Sequence, residues 1–332
     1  VFGPSAGAAR LEGSKAFAKD VMAAAGVPTA RARVCTTPAE VAEALDDFGA
    51  PHVVKDDALA AGKGVVVTND RAEAIAHAAS CQRVVVEEFL AGPEVSLFVV
   101  CDGADAYPLQ PAQDFKRILD GGRGPNTGGM GSYTPLTWAG DDLAATVMEQ
   151  VVRPTLAEMA RRDVPFVGCL YVGLALTSAG PRVIEFNVRF GDPDIQPVLA
   201  VLDSPLGELL HAAATGRLAS VEAPRFADAA AVSVVLASAG YPESSSKGDV
   251  ITGIEEAAAT ADVIHAGTAV QDGVLVTAGG RVLAVRAVGS DVAEARARAY
   301  AAAEHISFAG MQRRSDIAAE PLGVVEGASL AD

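Results

Sequence analysis

Over roughly its first 90 residues the chain alternates helical and strand-like segments at short spacing, and this limits the fold more than any other feature. Residues 14–25 place apolar side chains at helical spacing, and Gly26-Val27-Pro28 stops the run. Thr37-Pro38 opens a second helix through about Phe48, closed by Gly49-Ala50-Pro51. The β-branched segments His52–Lys55 and Gly64–Thr68 flank a loop of small residues; a helix over Asp70–Ser80 and a strand over Arg83–Glu88 follow. Such alternation predicts an α/β or α+β domain.

Farther on, Val95–Cys101 reads as a strand, and Gln113–Pro135 as glycine-rich and irregular. Asp141–Arg162 reads as a long helix interrupted near Pro154. Gly168–Leu176 and Arg182–Glu185 form a strand pair turned at Ala179-Gly180, and Pro205–Thr215 is helical. After Pro224 short strands at Val232–Ala237, Val263–Ala266, Gly273–Thr277 and Arg281–Val288 alternate with glycine turns, and Ser290-Asp291 caps a last helix.

A net charge of −16 opposes attraction to a phosphate backbone, so no nucleic-acid partner is expected. No run approaches the roughly 18 uninterrupted apolar residues of a membrane helix, and no basic leader precedes an apolar stretch. The expected setting is cytoplasmic, without a membrane partner. Cys35, Cys81, Cys101 and Cys169 are scattered and form no C-x-x-C pair, which suits structural thiols in a reducing compartment.

Four stretches carry candidate chemistry. In the first, a strand delivers Lys55 among apolar neighbours, where an unpaired ammonium is costly, and a small-residue loop through Ala61, Gly62, Lys63 and Gly64 follows. Such a loop can fold over a triphosphate, although a Gly-Lys-Gly turn alone is usually an exposed hairpin tip. In the second, the strand ending at Glu87 and Glu88 turns through Leu90 toward Glu94, offering backbone groups to a purine edge and carboxylates to ribose. Taken alone it equally describes an edge strand with solvated acids.

The third and most informative is Arg182–Gln196. A strand there would put Glu185, Asn187 and Arg189 on one face and Ile184, Phe186 and Val188 on the other. A carboxylate and an amide oxygen two residues apart suit Mg²⁺, which keeps phosphate and water as further ligands. In the fourth, Gln113-Asp114-Phe115-Lys116-Arg117 precedes Gly124-Pro-Asn-Thr-Gly-Gly-Met-Gly131, whose glycines allow close backbone approach to a ligand; a long surface loop is the plainer alternative.

Together with Ser238-Ala-Gly-Tyr-Pro-Glu-Ser-Ser-Ser-Lys-Gly248, these motifs resemble, in order and over essentially the whole chain, the phosphoribosylamine–glycine ligase (GAR synthetase) family of the ATP-grasp superfamily. The resemblance implies an α+β ATP-grasp fold, two subdomains clasping ATP, followed by a small β-rich domain. Residues 1–28 would be a linker helix and the end of the family's N-terminal domain, 29–92 the lid subdomain, 93–223 the central subdomain and 224–332 the C-terminal domain. The family's opening Rossmann-like domain is not matched, so the chain is expected to be a fragment or to begin late.

The resemblance also implies roles. Lys15 and Lys55 would hold ATP phosphates beneath an Ala61–Gly64 lid, Glu87 and the Leu90 backbone adenine, and Glu94 ribose. Glu185 and Asn187 would hold Mg²⁺, with Mn²⁺ as an alternative. Arg189, Asp114 and Lys116 would carry the chemistry: Arg189 at the acyl phosphate or glycine carboxylate, Asp114 at the glycine amine. Arg117, Asn126, Thr127, Gly128, Gly129 and Asp192 would meet substrate. Asp194 stands where the family usually has glutamate. The reaction implied is ATP-dependent ligation of glycine to 5-phosphoribosylamine through glycyl phosphate, by a protein expected to be a monomer. Another ATP-grasp carboxylate–amine ligase, or an inactive ATP-binding fragment, is the alternative.

Overall fold

The computed structural model describes residues 1–58 and 64–319. The helix Lys15–Ala25 starts where Ser14 accepts the Phe17 N–H and ends at Gly26, whose φ of 67° is left-handed backbone that costs glycine little. The helix Pro38–Phe48 starts with a capping box between Thr37 and Glu40.

A four-stranded antiparallel sheet runs Ala32–Cys35, Val84–Glu87, His52–Asp56, Val65–Thr68. The helices Pro38–Phe48 and Arg71–Ala79 cover it, burying Val41, Ala44, Leu45 and Ala74 against Cys35, Val54, Val84 and Val86. A second four-stranded sheet has the order Gly180–Asn187, Val167–Thr177, Glu94–Asp102, Ala106–Pro108. Along the Gly180–Asn187 and Val167–Thr177 pair, Gly173 faces Glu185 but Leu174 faces Val183, so Ile184 is an extra, bulged residue.

The third sheet has five strands, in the order Asp262–His265, Arg281–Gly289, Ala230–Ala237, Gly131–Thr134, Gln113–Asp114. Its ladder therefore joins residues on both sides of position 224. The stretch expected to be irregular, Gln113–Pro135, thus holds short strands, including Arg117–Leu119 and Arg123–Asn126. Its glycines hide them from an alternation test. At Gly131 the partner strand comes so close that a Cβ would lie 2.6 Å from the Ser233 carbonyl oxygen.

The interruption expected near Pro154 is a π-helical turn, Met148–Val152, between Leu143–Val147 and Arg153–Arg161. Proline lacks the N–H that would continue the α-helical ladder, and the Thr155 hydroxyl takes up the Val151 carbonyl at 2.7 Å. Buried side chains of the second and third sheets belong to one core with these helices, among them Leu97, Leu170, Val151, Met159, Val232 and Ala299. The helices Ile195–Ala200 and Ile254–Ala258 and the strand Thr268–Gln271 were not expected. Among the described residues no helix is long and apolar enough to cross a membrane.

Candidate functional site

A cleft of about 370 Å³ opens between the first sheet, the helix Lys15–Ala25 and the edge of the second sheet. Its first wall is basic. In the ladder Val53 faces Glu87 and Lys55 faces Val85, which makes Lys55 and Glu87 diagonal neighbours on one face. Lys55 Nζ lies 3.0 Å from Glu87 Oε2 and donates to the Ile184 carbonyl at 2.9 Å. That carbonyl belongs to the bulged residue of the edge strand. This answers the cost of a buried lysine: both partners are only about 3–4% exposed.

Lys19, one helical turn after Lys15, completes the wall. Its Nζ lies 3.2 Å from Glu87 Oε1 and donates to Thr29 Oγ1 at 2.8 Å and the Ala30 carbonyl at 3.1 Å. Burial pushes its amine down to about 8, against the attraction of Glu87. Glu87 Oε1 lies within ion-pair range yet has no hydrogen-bond donor among the described residues. Lys15 reaches the Ala58 carbonyl at 3.3 Å, and Gly64 also lines the cleft. Ala61, Gly62 and Lys63 lie outside the described residues.

The opposite wall is acidic. Glu185 and Asn187, half-buried at the end of the edge strand, line the cleft together, with Asn187 Nδ2 3.4 Å from Glu185 Oε1. Beside them stand Asp114, Lys116, Tyr171 and Asp194. Lys116 pairs with Glu94 through a short contact and with Asp114 at 3.7 Å. Ser96 donates to Asp194 Oδ1 at 2.7 Å, and its hydroxyl lies 2.8 Å from that of Tyr171. Burial, then the neighbouring Asp194, raises Asp114 to about 8. Burial likewise raises Asp194. Burial opposes the Lys116 charge too, but Asp114 and Glu94 outweigh it and hold the ammonium well above its ordinary value.

Two placements correct the alternation expected for the third stretch. Ile184, Glu185, Phe186 and Asn187 all line the cleft, so the end of this strand presents consecutive residues to it rather than alternate ones, with Ile184 the bulged residue among them. The strand ends at Asn187, so Arg189 does not share its face. Arg189 sits beyond the strand and lines the cleft, with Nε 3.1 Å from Glu12 Oε1, while Glu12 Oε2 accepts the Val188 N–H at 2.9 Å.

Asp192 and Gly128 also line the cleft; Leu90, Glu94, Arg117, Asn126, Thr127 and Gly129 do not. Arg117 donates to the Gly124 carbonyl at 2.7 Å, and Thr127 Oγ1 to the Lys116 carbonyl at 2.8 Å while accepting the Gly129 N–H at 2.9 Å. These residues shape the glycine-rich loop. Sequence reasoning missed Lys19, Glu12, Tyr171 and Arg281 among the cleft residues. Lys19 alone carried a signal, the i, i+4 spacing from Lys15 in a chain poor in lysine.

The donor set fits a divalent cation. Glu185 and Asn187 supply hard oxygens facing a space lined by lysines, where nucleotide oxygens and water would complete the shell. Among the described residues no group of three or more His, Cys, Asp or Glu is placed to hold a metal.

The family model for the phosphoribosylglycinamide synthetase ATP-grasp (A) domain matches residues 13–195, and that for the C domain matches residues 231–320. A phosphoribosylamine–glycine ligase of Streptomyces coelicolor is 63% identical over 327 residues, covering 97% of this chain and 79% of its own length. One from Leifsonia xyli is 55% identical, covering 96% and 78%. The crystal structure of phosphoribosylamine–glycine ligase from Thermotoga maritima superposes with a TM-score of 0.88 at 39% identity, covering 96% of this chain and 81% of that one. The biotin carboxylase domain of a Hydrogenobacter thermophilus 2-oxoglutarate carboxylase shares the fold, with a TM-score of 0.70 at 16% identity over 94% and 69%.

Proposed function

The chain belongs to the phosphoribosylamine–glycine ligase family of ATP-grasp enzymes, and we propose that it joins glycine to 5-phosphoribosylamine as ATP becomes ADP and phosphate. A glycine carboxylate oxygen attacks the γ-phosphorus, the bond to the β–γ bridging oxygen breaks, and glycyl phosphate and ADP form. The amine nitrogen then attacks the acyl carbon, phosphate leaves, the nitrogen gives up a proton, and the product is glycinamide ribonucleotide.

One observation carries this reading: three ammonium groups, Lys15, Lys19 and Lys55, face Glu185 and Asn187 across a single cleft. Positioning and charge neutralisation are what phosphoryl transfer asks of a protein. Lys15 and Lys55 hold the phosphates. Glu87, whose buried Oε1 lacks a hydrogen-bond donor among the described residues, accepts from the adenine amine near the Leu90 backbone. Glu94 serves the ribose, through Oε1, because Oε2 is engaged by Lys116. Glu185 and Asn187 would hold Mg²⁺, which when bound would neutralise charge on the phosphate oxygens. Arg189 holds the acyl phosphate or the glycine carboxylate, Asp114 the glycine amine, and Lys116 keeps Asp114 and Glu94 in register. Arg117 and Asn126–Gly129 form the loop that meets 5-phosphoribosylamine, together with Asp192. The cytoplasm is the proposed setting, in keeping with four reduced thiols.

ADP release measured with each substrate omitted in turn, and mass identification of the product, tests the proposal. Release should require both glycine and 5-phosphoribosylamine. Turnover indifferent to glycine would overturn the assignment, and nucleotide binding without product would reduce the chain to an ATP-binding module.

A further inference from the structure

The last hundred or so residues of a domain this size can pack against a site without shaping it, but here they enter the cleft at Arg281, the first residue of the strand Arg281–Gly289. Its Nη1 donates to the carbonyls of Gly128 and Asp192, both at 2.6 Å, and its Nη2 lies 3.1 Å from Asp192 Oδ2. Two carbonyl oxygens from loops 64 positions apart in sequence thus converge on one cation, an arrangement that would be repulsive without it. The Tyr241 hydroxyl takes the other side of Gly128, accepting its N–H at 2.8 Å. The fit is tight: a Cβ on Gly128 would lie 2.9 Å from Arg281 Cζ.

The contrast with the basic wall is one of origin. Among the described residues, the polar contacts of Lys19 and Lys55 come from residues 29, 30, 87 and 184, none from beyond residue 223. The loops bearing Gly128 and Asp192 are tied down from residues 241 and 281.

We propose that Arg281 and Tyr241 are positioning residues that set affinity for the two amine-bearing substrates by clamping Gly128 and Asp192, without contributing to nucleotide binding. The inference rests on the function proposed above. A planar guanidinium satisfies two carbonyls and a carboxylate at fixed angles, whereas an ammonium is a point charge with no such fork.

The test measures kcat and the Michaelis constants for ATP, glycine and 5-phosphoribosylamine, with calorimetry of Mg·ADP, for Arg281→Ala, Arg281→Lys and Tyr241→Phe. Arg281→Ala should raise KM for both glycine and 5-phosphoribosylamine about tenfold, the scale of a lost charge-assisted hydrogen bond, and Tyr241→Phe about threefold. Arg281→Lys should behave like the alanine variant, and Mg·ADP affinity should stay within about twofold of the wild type. Equal rises in all three Michaelis constants would mean a merely structural role and overturn the inference, as would unchanged constants. Should Arg281→Ala fail to fold, Tyr241→Phe, which removes one hydroxyl, still reports the split. Wild-type protein without glycine-dependent ADP release would overturn the functional reading instead; wild-type turnover with unaltered variants would overturn this inference alone.

Discussion

The two walls of the cleft solve opposite electrostatic problems. On one, Lys19 and Lys55 share the single buried carboxylate of Glu87, and Lys15 stands beside them, so positive charge is in surplus. On the other, Asp114 pairs with Lys116, which Glu94 engages from just outside the cleft, and the buried Asp194 lies close enough to help burial keep a proton on Asp114 up to about pH 8. A triphosphate suits the first wall and an ammonium the second. On each wall burial penalises charge until the matching ligand arrives.

The largest way to break this comparison is at its seam. Glu185→Gln should lower kcat about 100-fold and raise the Mg²⁺ concentration needed for half-maximal rate, as expected when a group stabilising transferring charge is lost. An unchanged Mg²⁺ profile would remove Glu185 from the metal.

Next is the basic wall. Lys55→Met leaves Glu87 with Lys19 as its one ion-pair partner and should cost about 3 kcal/mol of stability by denaturant titration, along with nucleotide affinity. If Glu87→Gln in the same background restores stability, the loss came from the carboxylate left with Lys19 alone.

The acidic wall should answer to pH instead. Glycine's ammonium needs an ionised Asp114, so KM for glycine should rise as pH falls below about 8. Asp194→Asn removes a neighbouring charge that helps raise Asp114, so the inflection should move to lower pH. The stability sign is the reverse of the usual carboxylate case. The native carboxyl keeps a proton that the unfolded chain releases near 3.8, so this group's contribution is lost as pH rises from there toward about 8.

Lys19 should give the smallest effect. Its native amine loses its proton near 8, against 10.5 for the ordinary side chain. Nucleotide affinity should therefore fall two- to threefold, on the order of a weakened screened ion pair, as pH rises through that value. The native state gains stability over the same rise, because the unfolded chain still binds the proton up to about 10.5. In Lys19→Gln both dependences should vanish from isothermal titrations across this range.

Local signals made much of this legible. Ser14 and Gly26 bracket the helix that carries Lys15 and Lys19, and Thr37 with Glu40 starts the next, because caps act within a turn. The pairing of Glu185 with Asn187 survives for the same reason, period-2 geometry being local. The glycine-rich stretch was not legible: its Gly131–Thr134 strand is defined by a partner about a hundred residues away, Ala231–Val234, and not by its own pattern.

By itself, then, the sequence determined which side chains can do chemistry and which short segments present them, since propensity, capping and alternation depend on near neighbours. Tertiary structure decided which of them meet. It shared Glu87 between two lysines, set the Ile184 carbonyl against Lys55, carried Arg189 past its strand to Glu12, and drew Arg281 onto Gly128 and Asp192. Those partners lie far apart along the chain, and only burial in a common core, where unpaired charge and unsatisfied carbonyls are costly, selects them.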